Sequence, residues 1–170
     1  QSYQRARKDA GKNDLFNMYL LLLVYGMGLG ALQEMHQRLN FPKAEYDLMV
    51  NTLRLKAQME RLARPKLKPF AIYRMLQNYP PAAIQANFLA NPAPLIQSRL
   101  SLYLRKWSCL KPLLKGNDLI AAGITKGPQI KAVLDSLLEA RINGEISNKA
   151  EGQRLLQELM RNKNTASARG

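Results

Sequence analysis

The sequence predicts an all-α fold, an irregular multi-helix body followed by a C-terminal helical tail. Two observations carry this expectation. No segment shows strand-like alternation bounded by hairpin turns, while apolar residues recur with a 3.6-residue period throughout. Proline and glycine punctuate the joints between the periodic stretches. On this reading residues 1–110 form the body, 111–164 the tail and 165–170 a frayed end. The proline-rich joints near 65–69 and 91–94 are too short for flexible linkers, and no internal repeat is present.

In order along the chain, a first helix runs from a basic start (Arg5, Arg7, Lys8) into the apolar run Leu20–Val24. A second covers Leu29 to Leu39. After Asn40-Phe41-Pro42 a third begins, with Pro42 as its first residue, and runs to about Ala63, where Pro65 stops it. Lys66-Leu67-Lys68-Pro69 opens a short helix that turns Ile72, Tyr73 and Leu76 toward the core. Tyr79-Pro80-Pro81 starts the next, bearing Ile84, Phe88 and Leu89, and Asn91-Pro92-Ala93-Pro94 is a rigid turn. Ile96, Leu100, Tyr103 and Trp107 then form a buried stripe, with Arg99 and Lys106 sharing another face.

The last third carries the clearest signals. Asp118 caps a short helix that Gly123 ends, and Gly127-Pro128 starts a helix with proline in its first turn. That helix has the apolar set Ile130, Val133, Leu134, Leu137 and Leu138, and Gly144 is its left-handed stop. Asn148 and Glu151 have the spacing of an N-cap and its partner, and Leu155, Leu156, Leu159 and Met160 form a final buried face.

Composition narrows the function classes. A hydrophobic fraction of 46% is ordinary for a globular chain, and 170 residues suffice to bury a core. The charge is not ordinary: 26 Lys and Arg against 12 Asp and Glu give +14. Such an excess attracts polyanions, nucleic acid ahead of an anionic membrane, because the bases are interleaved with buried-type residues rather than gathered in a tail. Cys109 is alone, so an internal disulfide is excluded; it reads as a small core residue in a reducing, cytoplasmic setting, and His36 as a helix-surface residue. Gln1 in place of Met reads as a processed or excised piece, without a signal-peptide pattern. Leu15 to Leu32 carries no charge, yet Asn17 and Gly26, Gly28 and Gly30 interrupt it, so a core helix with a glycine-rich turn is expected rather than a membrane span.

The residues offer no catalytic constellation. The aspartates never stand two apart to hold paired metal ions, and there is no phosphate-binding Walker loop, nucleophile elbow or histidine pair. The chain by itself is expected to be inactive. Positive signal lies in two basic clusters. One holds Arg54, Lys56, Arg61, Arg64, Lys66, Lys68 and Arg74, opposed only by Glu60. The other holds Arg99, Arg105, Lys106, Lys111 and Lys115. Several phosphate contacts made by such clusters give strong, salt-sensitive binding with little sequence reading. A solvated face remains the alternative for any one of them. The helix start at Gly127, with Lys126 before it, adds a dipole and backbone N–H groups suited to phosphate, or is simply a tight corner.

The segment Leu113-Leu114-Lys115-Gly116-Asn117-Asp118-Leu119-Ile120-Ala121-Ala122-Gly123-Ile124-Thr125-Lys126-Gly127-Pro128-Gln129-Ile130, followed by Leu134, Leu137, Leu138 and Gly144-Glu145, resembles the C-terminal signature of bacterial-type (class II) tRNA nucleotidyltransferases (CCA-adding enzymes) and poly(A) polymerases. Its structural positions are Gly116, Asp118, Leu119, Gly123, Pro128 and Gly144. Arg38-Leu39-Asn40-Phe41-Pro42, Leu67 to Leu76 and Leu102-Tyr103-Leu104-Arg105 are similar to body segments of that family. The resemblance implies a helical body and tail that hold tRNA for 3′-end nucleotide addition. It also implies a separate catalytic head, using Mg2+ with CTP or ATP, which this sequence lacks; no cofactor is expected in this chain. The candidate RNA contacts are Arg64, Lys66, Lys68, Arg99, Arg105, Lys106, Lys111, Lys115, Lys126 and Gly127. A helical scaffold, including a homo-oligomer, and a helix-hairpin-helix-like DNA-binding module are the alternatives.

Overall fold

A computed structural model describes residues 15–110, 112–124 and 127–167, apart from the side chains of Pro128 and of residues 162–167. Among the described residues the chain is all-α and without strands. Helix α1 covers residues 15–24, α2 Leu29–Leu39, α3 Lys43–Lys56, α4 Met59–Leu62, α5 Pro69–Leu76 and α6 Pro81–Ala90. Helix α7, Pro94–Leu102, runs on into a π-turn at Tyr103–Trp107. Then come α8 Gly116–Ala121, α9 Pro128–Asn143 and α10 Lys149–Ser167. No helix among these residues is long and apolar enough to cross a membrane. The expected basic start of the first helix lies outside the described residues.

The helices gather into two compact units. The first takes the residues up to Leu67 together with Arg74–Ser108; the second takes Lys68–Tyr73 and the chain from Cys109 onward, so the division passes through α5. In the first unit Leu21 and Val24 of α1, Leu32 of α2, Met49 and Leu53 of α3 and Ala86 of α6 form the core. Helix α6 is fixed to α3 by the wholly buried Asn87, whose amide donates to the Thr52 carbonyl at 3.0 Å and to the Ala83 carbonyl at 2.8 Å. Removed from water, the amide nitrogen is tolerated because both its hydrogens are bonded, while Oδ1 is buried without a hydrogen bond. The stripe Ile96, Leu100, Tyr103 and Trp107 is buried as its spacing predicts.

Several local expectations are corrected. Pro42 is the N-cap of α3 rather than its first helical residue, consistent with its extended ψ of 144°. The long third helix breaks at Ala57-Gln58, where the Gln58 N–H turns back to the Leu55 carbonyl, three residues away, at 2.8 Å. Ala and Gln are good helix formers, so no local signal marks this break. Cys109 is exposed, because it follows the π-turn, past the buried stripe that ends at Trp107. Helix α10 runs to Ser167, with no proline or glycine between Gly152 and Gly170 to end it earlier.

The second unit closes its helix ends with backbone motifs. At the end of α8, Gly123 (φ +93°) donates to the Ile120 carbonyl and Ile124 to the Leu119 carbonyl, the paired bonds of a Schellman motif. Leu119 and Ile124, which such a motif brings into contact, both enter the core with Leu114, Val133, Leu137, Ala140, Ile146 and Leu156. The end of α9 repeats the device: Gly144 (φ +82°) donates to the Arg141 carbonyl and Glu145 to the Ala140 carbonyl. At the start of α10 the Glu151 N–H donates to Asn148 Oδ1 at 3.0 Å, as expected, while the Glu151 carboxylate accepts from the Ser147 N–H at 2.6 Å.

Candidate nucleic-acid interface

From Arg61 to Asn117 the chain holds no Asp or Glu. Within that span the side chains of Arg61, Arg64, Lys66, Lys68, Arg74, Arg105, Lys106 and Lys115 are exposed. Lys111 and Lys126 lie outside the described residues.

Arg99 departs from its expected role. It is 8% exposed, and its guanidinium donates to the Leu62 carbonyl, to the Arg64 carbonyl at 2.9 Å and to the Pro65 carbonyl at 3.2 Å. A buried guanidinium is tolerated when its donors are satisfied, and these carbonyls stand where α4 ends and lack helical partners. Arg99 is therefore no phosphate ligand. Its place on the shared face with Lys106 is also corrected. The intervening π-turn, closed by the Ser108 N–H on the Tyr103 carbonyl, turns less per residue than an α-helix and leaves Lys106 exposed.

The segment Arg99 grips is the basic one. Arg64-Pro65-Lys66-Leu67 forms a β-turn, with the Leu67 N–H on the Arg64 carbonyl at 3.4 Å and proline at its second position. Two expected phosphate contacts, Arg64 and Lys66, thus sit exposed on one turn pinned from behind by a third. Lys56 is engaged elsewhere in the unit: its ammonium donates to the Tyr25 carbonyl and lies 4.9 Å from the centre of the Tyr25 ring.

In the second unit Lys115 is the N-cap of α8 and is exposed, as is Gly127, the N-cap of α9. The two helix starts are neighbours, since a methyl group at Gly116 would touch Ile130 Cγ2 at 3.9 Å. Gly127 has φ +130° and ψ −153°, a backbone conformation open essentially to glycine alone. Asp118 stands at the third position of α8 rather than at its cap. Its carboxylate accepts from the Lys115 N–H at 2.7 Å and pairs with Lys149 at 3.3 Å. The Lys115 N–H first, then the Lys149 ammonium, hold its carboxyl below the usual range. Lys68 lines a groove with Glu139 and Glu145, which weakens its field toward phosphate.

A further feature was not legible in the sequence. His36 stacks on Tyr46, ring centres 3.9 Å apart, and lies nearly parallel to Phe41 at 6.4 Å. It is half-buried against neighbouring rings rather than a plain surface residue. Phe41 and Tyr46 stand at the α2–α3 joint, where only a chain break was expected. Among the described residues no three His, Cys, Asp or Glu side chains gather as metal ligands. No protein-family profile, curated protein or solved structure matches the chain.

Proposed function

We propose that the chain is an RNA-binding module that holds tRNA or a tRNA-like RNA by its phosphates. The role is that of the body and tail which position tRNA for 3′-end nucleotide addition in the nucleotidyltransferases that Leu113–Ile130 resembles. The observation that carries the reading is the carboxylate-free span from Arg61 to Asn117 with its exposed cations, Arg64 and Lys66 foremost on their pinned turn. Each phosphate neutralised there releases condensed counterion, and within the span itself no carboxylate offsets the gain. Catalysis would belong to a head supplied by a parent protein or partner chain.

Competition between tRNA and duplex DNA for the chain at equal salt tests this. Retention of tRNA against excess duplex is expected. Displacement by duplex at equal or lower concentration would replace the RNA reading with the DNA one. A second reading, a self-associating scaffold, is favoured by an exposed apolar stripe on α1, where Leu15, Phe16, Tyr19 and Leu23 are 57 to 75% exposed. A stable dimer by light scattering, with no tRNA affinity, would select it.

A further inference from the structure

The joint between α2 and α3 frames an open groove of about 640 Å³ lined by His36, Asn40, Phe41, Pro42, Lys43 and Tyr46. Its size falls within the range of small-ligand clefts, roughly 300–1,000 Å³. Three of its six residues are aromatic, and the His36 ring lies within 18° of parallel to both of the others. The groove also has polar character at its edges. Asn40, held in the left-handed conformation (φ 48°) at the end of α2, is exposed, as is Lys43 at the first position of α3. The first N–H groups of α3 are backbone donors at the positive end of a helix dipole, and Tyr46 is the first residue of the helix to bond back, to the Pro42 carbonyl. Glu45 lies in the same turn but does not line the groove. His36 Nδ1 and Glu45 Oε2 are both buried and make no hydrogen bond, so polar capacity at this joint is unmet.

Parallel rings, an amide and a cation beside a helix start match one ligand chemistry: a flat heteroaromatic base joined to a phosphate. We infer that this groove is a stacking site for an unpaired base of single-stranded RNA, with Lys43 and the α3 start taking the adjoining phosphate. The inference rests on the RNA-binding reading and adds to it. The cation clusters grip any phosphate backbone, whereas this groove accepts a base only where the strand is unpaired, at an end or a loop. Stacking on protein rings is tolerant of base identity, so the groove selects strandedness rather than sequence.

The test uses the full chain with a 12-nucleotide oligouridylate and a 12-base-pair RNA duplex as probes. Ultraviolet crosslinking of the oligouridylate followed by peptide mapping is expected to place adducts on Phe41, Tyr46 or His36. Tyr46→Leu, which keeps apolar bulk but removes the ring, is expected to weaken oligouridylate binding roughly ten-fold and leave duplex affinity unchanged. The unchanged duplex affinity reports that the variant is folded. Lys43→Gln, on the surface, is expected to lower the magnitude of the salt slope for oligouridylate by about one. Wild-type binding to both probes with crosslinks elsewhere and no selective loss in either variant would overturn the groove while leaving the RNA reading intact. No binding of either RNA by the wild type would overturn both.

Discussion

The two units close their helices by different means. In the first, joints are held by side chains reaching carbonyls distant in sequence: Arg99 to the turn after α4, Asn87 to α3, and Lys56 to Tyr25. In the second, joints are held mainly by residues within a turn of the joint itself: the Gly123 and Gly144 Schellman motifs and the Asp118 and Glu151 carboxylates at helix starts, with the exposed Lys149–Asp118 pair as a longer-range addition. Long-range clamps concentrate the stability of a joint in one side chain and bury a polar group that must stay bonded. Local motifs distribute it over backbone bonds that each cost little to lose. The basic turn of the first unit, proposed above to hold RNA, therefore depends on a residue far along the chain, whereas the helix ends of the second unit depend on their own glycines and carboxylates.

If that contrast holds, Arg99→Met gives the largest effect. It removes the guanidinium from three carbonyls, of which that of Arg64 keeps the Leu67 N–H, and is expected to cost about 3 kcal/mol in urea unfolding. An exposed phosphate ligand would instead cost under about 0.5 kcal/mol and only lower the salt slope. Gly144→Ala, by comparison, forces a side chain into the left-handed region and is expected to cost about 1 kcal/mol by the same measurement. Parity between the two would erase the distinction between clamp and cap.

Why one unit was more legible than the other follows from the same contrast. Gly144, Gly127-Pro128, Asn148 and the α9 apolar set announce themselves within a few residues, so the second unit's helices could be read directly. Gly123 reads as a stop, whereas Asp118 reads as a cap yet stands three positions inside the helix, because a carboxylate favours both the cap and the first turn. In the first unit Arg99 resembles every other base in its cluster until its three acceptors are known, and those lie 34 to 37 residues away. The break at Ala57-Gln58 and the stacked groove at His36, Phe41 and Tyr46 are likewise products of tertiary packing. Periodicity reports which face is buried; it does not report what a polar residue on that face is bonded to.

Two smaller effects sharpen the picture of the second unit. Ser147 and Asn148 hold Glu151 below the usual carboxylate range, the Ser147 N–H foremost, as Lys115 and Lys149 hold Asp118. A carboxyl whose folded value is lowered contributes stability that is fully present above its unfolded value and is lost as pH falls from there, below about pH 5, through the folded value. The unfolding midpoint of the wild type should therefore drop on acidification more than that of Asp118→Asn/Glu151→Gln. Equal drops would show that these carboxylates do not hold their helix starts. Smallest is Gly152→Ala. A methyl group there would meet Leu113 at 3.6 Å and Leu114 at 3.8 Å, ordinary contact, so the better helix propensity is expected to add about 0.5–1 kcal/mol.

The central claim, that the chain holds RNA by its phosphates, is tested most directly by tRNA affinity across a salt series. The expected result is measurable binding at low salt, with log K falling linearly against log salt. Each phosphate contact should contribute a slope of roughly −0.7 to −0.9, and the slope should become shallower by about two in Arg64→Gln/Lys66→Gln. A salt-independent affinity, or none at low salt, would contradict it.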